Sequence, residues 1–144
     1  MIETINFDEL QWLHILNPEE EDYTYLLDNY NFHPLDIEDC RAINQRPKID
    51  EYDDYYFLIL HFPYLDKSNK FIRMKEVKIF WGKDYIITIG RSHWAVKNLF
   101  KQTKDEKQQY NSSDELLYNI LDRLMVETYT LILRIGSEVD SINY

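Results

Sequence analysis

The sequence is poor in the residues that interrupt, link or cross-link a chain. Its 144 residues include three glycines, four prolines and a single cysteine, Cys40. With so little Gly and Pro there is no flexible linker, so residues 1–144 predict one densely structured domain with a single core. Cys40 alone cannot form an internal disulfide, which fits a reducing compartment such as the cytosol.

Long apolar segments are also missing. The longest apolar run, YYFLILHF at 55–62, is interrupted by His61 and falls far short of the about 18 residues that a membrane helix needs. The amino terminus, MIETINFDEL, has no basic flank, apolar stretch or small-residue cleavage site of a secretory signal. We therefore expect residues 1–144 to be soluble and to contain no transmembrane part.

Positive charge is scarce in the first part of the chain. Residues 1–54 hold 15 acidic and 3 basic residues, a net charge of −12, whereas residues 55–144 hold 11 and 13, a net charge of +2. Such a surface repels a phosphate backbone, and the sequence has no basic stripe with interleaved aromatic residues. Nucleic acid is therefore not expected as a partner, and cations are better candidates.

The usual signatures of catalysis and of transition-metal binding are absent. The chain has no G-x-G-x-x-G, phosphate-binding loop, G-x-S-x-G or paired-cysteine motif, and no nucleophile and base can be paired, so we expect no enzymatic activity. A zinc or copper pocket at His33 and Cys40 is less favoured than structural roles. We interpret His33 as a capping or packing residue, Cys40 as a small buried residue and His61 as a hydrogen-bonded core histidine.

The first third of the chain predicts a strand and two helices. A strand is indicated at 11–16, and a helix follows at 17–31, with Asn17 as its cap and Pro18 at its first position. Pro34 then permits a short helix with acidic residues in its first turns. The residues expected to form the buried stripe of the first helix are Tyr23, Leu26, Leu27 and Tyr30.

From Lys48 onward the pattern has the period of strands. Strands are predicted at 48–52, 55–65, 71–81 and 83–91, with turns at 66–70 and 82–84, which together indicate an antiparallel meander. In the third of these strands, Val77 and Ile79 alternate with Lys78 and Phe80, which predicts one face buried more deeply than the other.

The last third of the chain predicts two helices. The first covers 94–104, and the second begins with a capping box formed by Ser112 and Glu115. Apolar residues repeat every seven positions along the second helix up to the end of the chain, with Thr128 as the exception. We expect either that the natural chain continues or that this helix completes itself against a partner. The repeat consists of Leu117, Leu121, Leu124, Thr128, Leu131, Ile135 and Ile142.

Two groups of carboxylates stand out in the acidic part of the chain, and the first is a candidate for a cation site. The adjacent Glu38 and Asp39 repel each other, and a hard divalent cation with oxygen ligands would relieve that repulsion, although a solvated helix end is the other interpretation. The residues Asp50, Glu51, Asp53 and Asp54 are interpreted as a solvated face.

A family resemblance connects these segments. The run HPLDIEDC at 33–40, followed by NQRPKIDEYDDYYFLIL at 44–60, resembles the signature of the cytoplasmic domain of CorA-type magnesium and cobalt transporters. The resemblance implies an α/β/α sandwich (α+β) with a mixed, largely antiparallel central sheet at 1–111, and the start of a long stalk helix at 112–144. The family's pore and its Gly-Met-Asn motif lie beyond residue 144. The signature residues, which we expect to be structural, are His33, Pro34, Gln45, Arg46, Pro47 and Lys48.

The same resemblance implies a regulatory function. Asp39 matches a regulatory magnesium ligand that faces a carboxylate of the neighbouring protomer beyond residue 144, so the chain carries half of that site. Glu38 and Asp122 match positions of a second site in the interface, and the other interpretation of Asp122 is a helix-surface residue paired with Arg123 or its neighbours. Weakly bound Mg²⁺, with Co²⁺ as a second ion, would hold a homopentamer closed at the cytoplasmic face of the cell membrane. The membrane would be reached only through the missing C-terminal part, and the fragment alone would be a monomer or a dimer. The alternatives are a domain of a zinc-transporting relative and a free-standing oligomerising interaction module.

Overall fold

One sheet forms the centre of the computed structural model, which describes residues 1–66, 71–91 and 93–142. Within these ranges the strands are ordered β1-β2-β6-β5-β4-β3. The strands are β1 (Ile2–Phe7), β2 (Leu10–Leu16), β3 (Lys48–Glu51), β4 (Tyr55–Asp66), β5 (Phe71–Gly82) and β6 (Tyr85–Gly90). The helices are α1 (Glu20–Asn29), α2 (Pro34–Arg41), α3 (Trp94–Asp105) and α4 (Ser113–Ile142).

The predicted antiparallel meander is confirmed for β3 to β6, and β2 adds to β6 in parallel. The turn expected at 82–84 joins β5 to β6, whereas most of the turn expected at 66–70 lies outside the described residues. The pattern did not predict β1, which pairs with β2 as an antiparallel hairpin. The chain crosses from β2 to the far edge of the sheet, forms β3, β4 and β5 there, and then places β6 beside β2. The pair formed by β2 and β6 is therefore parallel.

Helices cover both faces of the sheet, as the α/β/α sandwich requires. Leu26 of α1 and Ile37 of α2 belong to the hydrophobic core on one face, whereas residues of α3 and α4 belong to the core on the other. The expectation that β5 is buried more deeply on one face is therefore wrong. Ile79 and Phe80 point to opposite faces, and each is fully buried because each faces a layer of helices.

The start of α1 differs from the prediction. Asn17 is not its cap: it has a φ of 51°, and its N–H donates to the carbonyl of Gly90 at 3.4 Å, which extends the pairing of β2 with β6. The cap is Glu19, whose N–H donates to a carboxylate oxygen of Asp22 at 2.9 Å. The predicted buried stripe is also too wide, because Leu27 is 41% exposed.

The long helix α4 is packed only along its first half. Ser112 Oγ accepts a hydrogen bond from the N–H of Glu115, as predicted, while the Glu115 carboxylate reaches the N–H of Asn111 instead of that of Ser112. Leu117 and Leu124 are buried, but the later residues of the seven-residue repeat are increasingly exposed. In the described part of the chain, no helix has the length and apolar character needed to cross a membrane.

Candidate functional site

The first feature of the site is the N-terminal cap of α2, the helix that carries Glu38 and Asp39. His33 is the N-cap, and its Nδ1 accepts a hydrogen bond from the N–H of Leu35 at 3.1 Å. Pro34 takes the first helical position, where its missing N–H costs nothing and its fixed φ suits the helix. The His33 N–H donates to the hydroxyl of Tyr55 at 2.8 Å, which ties the start of the helix to β4. The His-Pro pair therefore sets the direction in which α2 leaves the loop.

Asp36 anchors α2 to the sheet. It is 1% exposed, and its carboxylate accepts hydrogen bonds from the hydroxyls of Tyr52 at 3.0 Å and Tyr55 at 2.7 Å. Burial raises the pKa of Asp36, and burial also raises the pKa of Tyr52 to about 12. The sequence offered Asp36 only as an anion near a helix start. Its tyrosine partners come from the turn between β3 and β4 and from the first residue of β4, and helix periodicity does not show them.

Asp39 lies beside Asp36 and is held by Lys48. The Lys48 Nζ is 2.5 Å from an oxygen of Asp39 and 2.9 Å from an oxygen of Asp50. The hydrogen bonds that Lys48 donates to Asp39 and, as the smaller effect, to Asp50 raise the pKa of Lys48. Asp36, Asp39 and Asp50 each place an oxygen within 4.8 Å of the others, which is close enough for one cation to contact all three. Asp50, which was interpreted as part of a solvated face, is 36% exposed and also shares Lys48 with Asp39.

Glu38 is adjacent to Asp39 in sequence but has a separate partner. Its carboxylate contacts the guanidinium of Arg41, which also binds Glu20 of α1 with N–O distances of 2.9 and 3.0 Å. The Glu38 side chain is 63% exposed, whereas that of Asp39 is 24% exposed. Each of the two neighbouring carboxylates therefore has its own basic partner within this chain.

Asp122 does not join these residues within one chain. It is exposed on α4, which packs against the opposite face of the sheet from α2. The interpretation that it pairs with Arg123 has no support, because the Arg123 guanidinium donates to the side-chain oxygen of Gln102 at 2.8 Å.

The rest of the signature forms the loop from α2 to β3. The Gln45 carbonyl accepts a hydrogen bond from Nε2 of His61 at 2.7 Å, so His61 is hydrogen-bonded as expected, although it is only half-buried. Arg46 and Pro47 are exposed. Lys48, the last residue of the signature, ends the loop at the carboxylates of Asp39 and Asp50.

The pattern missed a buried cation, Lys78 of β5. Its Nζ donates to the carbonyls of Ala42 at 2.7 Å and Cys40 at 3.3 Å, and lies 3.3 Å from a carboxylate oxygen of Glu76. These carbonyls belong to the last turn of α2 and its C-cap, where helix carbonyls have no partner of their own. Cys40 is buried as expected, and burial raises the pKa of its thiol to about 12. The sequence signal that could have revealed this buried cation is a lysine within a predicted strand, flanked by apolar residues.

Comparisons with known proteins show first the fold and then the class of protein. The soluble domain of CorA from Methanocaldococcus jannaschii has the same fold, with a TM-score of 0.78 and 19% identity, over 94% of this chain and 54% of that chain. The CorA-like Mg²⁺ transporter protein family matches residues 7–143, and the chain belongs to this family. That family consists of ion transporters, which agrees with the absence of enzymatic motifs.

Two curated relatives support the same assignment. The chain is 31% identical over 138 residues to the metal ion transporter YfjQ of Bacillus subtilis, covering 91% of this chain and 40% of that protein. It is 24% identical over 137 residues to the cobalt/magnesium transport protein CorA of Thermotoga maritima, covering 90% and 38% respectively. The chain thus spans about two fifths of the length of these relatives.

Proposed function

We propose that this chain is the regulatory domain of a CorA-type magnesium and cobalt transporter, placed at the cytoplasmic face of the membrane, where it senses divalent cations and gates their uptake. The observation that carries the proposal is the position of the candidate carboxylates. Glu38 and Asp122, the two residues of the second site, lie on helices that pack against opposite faces of one sheet. A cation that contacts both must therefore lie between two protomers, which is what an intersubunit sensor needs.

The charges around Asp39 suit a weak cation site. Asp39 and Asp50 share one ammonium group, that of Lys48, and Asp36 places a third carboxylate oxygen within 4.8 Å of both. Mg²⁺ prefers oxygen ligands and keeps several of its waters, so it is suited to bridging Asp39 to a carboxylate of a neighbouring protomer. Glu38 and Asp122 would contribute to the second site in the same interface.

Gating then follows from differential affinity. Acidic domains arranged around one axis as a homopentamer repel each other, and Mg²⁺ bound between them favours the closed arrangement. Each site contributes about 0.4 kcal/mol when the ion is at its dissociation constant, and about 1.4 kcal/mol at ten times that concentration. Several sites together bias the gate, and loss of the ion opens it.

The second half of α4 fits an oligomer. Apolar residues there are exposed, including Ile132, Leu133, Val139 and Ile142. The same surface also suits the alternative of a free-standing oligomerising module. The other alternative, a zinc-transporting relative, would keep the cation site and differ in the ion that stabilises it.

Thermal melting and mass in solution test the proposal, with Mg²⁺, Co²⁺ or Zn²⁺ at millimolar concentration. We expect Mg²⁺ at ten times its dissociation constant to raise the melting temperature by about 4 °C and to raise the mass. Asp39→Asn should remove both effects, and Lys48→Gln should strengthen them because it removes the competing ammonium. Asp28→Asn, an equal charge change on α1, is the control.

Transport by the full-length protein gives the deciding result. Asp39→Asn should weaken the inhibition of uptake by internal Mg²⁺, and unchanged inhibition would rule out Asp39 as a sensor. A response to Zn²⁺ alone would favour the zinc-transporting relative. A rise in mass that does not depend on any of these ions would favour the interaction module.

A further inference from the structure

A cavity lies at the carboxyl ends of the parallel strands β2 and β6. After β2 the chain continues into α1 on one face of the sheet, and after β6 it continues into α3 on the other face. Neighbouring parallel strands whose connections diverge in this way leave a crevice, and ligands of open α/β sheets bind in such crevices. Here the crevice is a cavity of about 410 Å³, which we call the basic furrow. It is lined by Leu16, Asn17, Tyr64, Lys75, Arg91, Trp94 and Lys97.

The furrow concentrates positive charge in an acidic protein. The chain has a formal net charge of −10, yet the charged residues lining the furrow are Lys75, Arg91 and Lys97. Within residues 1–66, 71–91 and 93–142, none of these three side chains forms an ion pair with a carboxylate. Elsewhere Arg41, Lys48 and Lys78 each bind carboxylates. Three cations around one cavity without a counter-ion indicate an anionic ligand.

The furrow also has aromatic walls. The Lys75 Nζ lies 5.4 Å from the centroid of the Tyr64 ring, which fixes this ammonium at the cavity wall by a cation–π contact. Trp94 is the first residue of α3 and is 46% exposed. An exposed indole beside cations can stack on a planar ring. The positive end of the α3 dipole adds to the attraction for an anion.

The space extends beyond the furrow. An adjoining cavity of about 530 Å³ shares Asn17, Lys75 and Arg91 with it and continues past the end of α2. Its carboxylate, Glu76, is neutralised by Lys78 at 3.3 Å. The two cavities together have room for a ligand larger than a single phosphate group.

We infer that the basic furrow binds a nucleoside polyphosphate, with its phosphates on Lys75, Arg91 and Lys97 and its base stacked on Trp94. This site is built from different residues from the cation site at Asp39, and it does not depend on the proposed sensing function. Such a ligand would contact the ends of both parallel strands and the start of α3 at once.

Titration with ATP in the absence of Mg²⁺ tests this site, with calorimetry for affinity and tryptophan fluorescence for stacking. We expect ATP to bind and to quench the emission of Trp94, and Trp94→Phe to abolish the quenching. The double variant Arg91→Gln/Lys97→Gln should weaken binding by at least about tenfold. Lys101→Gln/Lys104→Gln, an equal change of charge on exposed residues of α3, should weaken it less than about twofold.

Adenosine and inorganic triphosphate separate the two halves of the ligand. Adenosine should bind weakly, and triphosphate should bind through the cations without quenching Trp94. If triphosphate binds as tightly as ATP, the furrow does not recognise a nucleoside and the inference is wrong. Equal losses in the two double variants, or no binding of ATP at millimolar concentration, would also overturn it.

Discussion

Replacing Lys78 by methionine should destabilise the chain strongly, because this lysine connects β5 to the end of the helix that carries the candidate site. Its side chain is 7% exposed, and it supplies hydrogen bonds to the carbonyls of Ala42 and Cys40 as well as a counter-ion for Glu76. Methionine has a similar length and fills the same space, but it supplies no donor. The substitution thus removes the polar contacts of Lys78 with little change in packing.

The magnitude follows from the groups left behind. The charge-assisted hydrogen bond at 2.7 Å to Ala42 is worth about 1.5 to 3 kcal/mol, and the longer one to Cys40 is worth less. Among the described residues, Glu76 then keeps only the Nε2 of His61, at 3.8 Å, as an ion-pair partner, and that ring is charged only when protonated. The Glu76 side chain is 20% exposed, so its carboxylate is poorly solvated. Burying methionine offsets part of the loss, since a buried charge no longer has to be desolvated. We expect a net loss of about 3 kcal/mol in the free energy of unfolding.

Urea denaturation followed by circular dichroism measures this loss. With a slope of about 1.5 to 2 kcal/mol per molar, the midpoint should fall by between about 1.5 and 2 M. Adding Glu76→Gln to Lys78→Met should recover part of the loss, because the buried carboxylate is then neutral. Lys83→Met, at an exposed turn position, is the control and should shift the free energy by less than about 0.5 kcal/mol. A loss below about 1 kcal/mol in the single variant would show that Lys78 does not hold α2.

Two further predictions concern α4 and the pH dependence of stability. Leu124→Asp should lower the free energy of unfolding by several kcal/mol, because Leu124 is 1% exposed. Leu133→Asp, at a position 57% exposed, should change the melting temperature little. Equal shifts of the melting temperature in the two variants would contradict the packing of α4. Burial lowers the pKa of His14 to about 4, and its Nδ1 lies 2.8 Å from the hydroxyl of Thr88. Below about pH 6.5 the unfolded chain therefore binds the proton first, so stability should fall by about 2 kcal/mol between pH 7 and pH 5. His14→Gln should remove that part of the fall, as measured by urea denaturation at both values; an unchanged fall would assign it to other groups.

Much of the local structure could be predicted because its causes are local. The Pro at the start of α2 and the serine cap of α4 each act within a few residues, and the structure contains both. The pattern failed where neighbours in space changed the outcome. The φ of Asn17 is fixed by the pairing of β2 with β6, and both faces of β5 are buried because helices from distant parts of the chain cover them.

The sequence predicted Asp39 as a residue of the candidate site, but it did not predict which side chains pair with it. Asp39 lies in a helix and Lys48, nine residues later, begins a strand. The two side chains meet only because the loop after α2 brings β3 back beside the helix. Asp50 follows Lys48 on the same strand and shares its ammonium. Ion pairs of this kind depend on side-chain positions in three dimensions, and no spacing rule for a single helix or strand contains them.

The sequence by itself determined the family and the order of the elements that follow β1, because the His-Pro-Leu and Gln-Arg-Pro-Lys runs and the periodicities are properties of short segments. The tertiary structure alone decided which charges are neutralised. It pairs Asp39 with Lys48 and places the Lys78 ammonium at the carbonyls that end α2. In the part of the chain that the structure describes, it leaves the cations of the basic furrow without a carboxylate partner. It also places Asp122 across the sheet from Asp39. Electrostatic interactions depend on distance and burial, and both are set only when the layers pack.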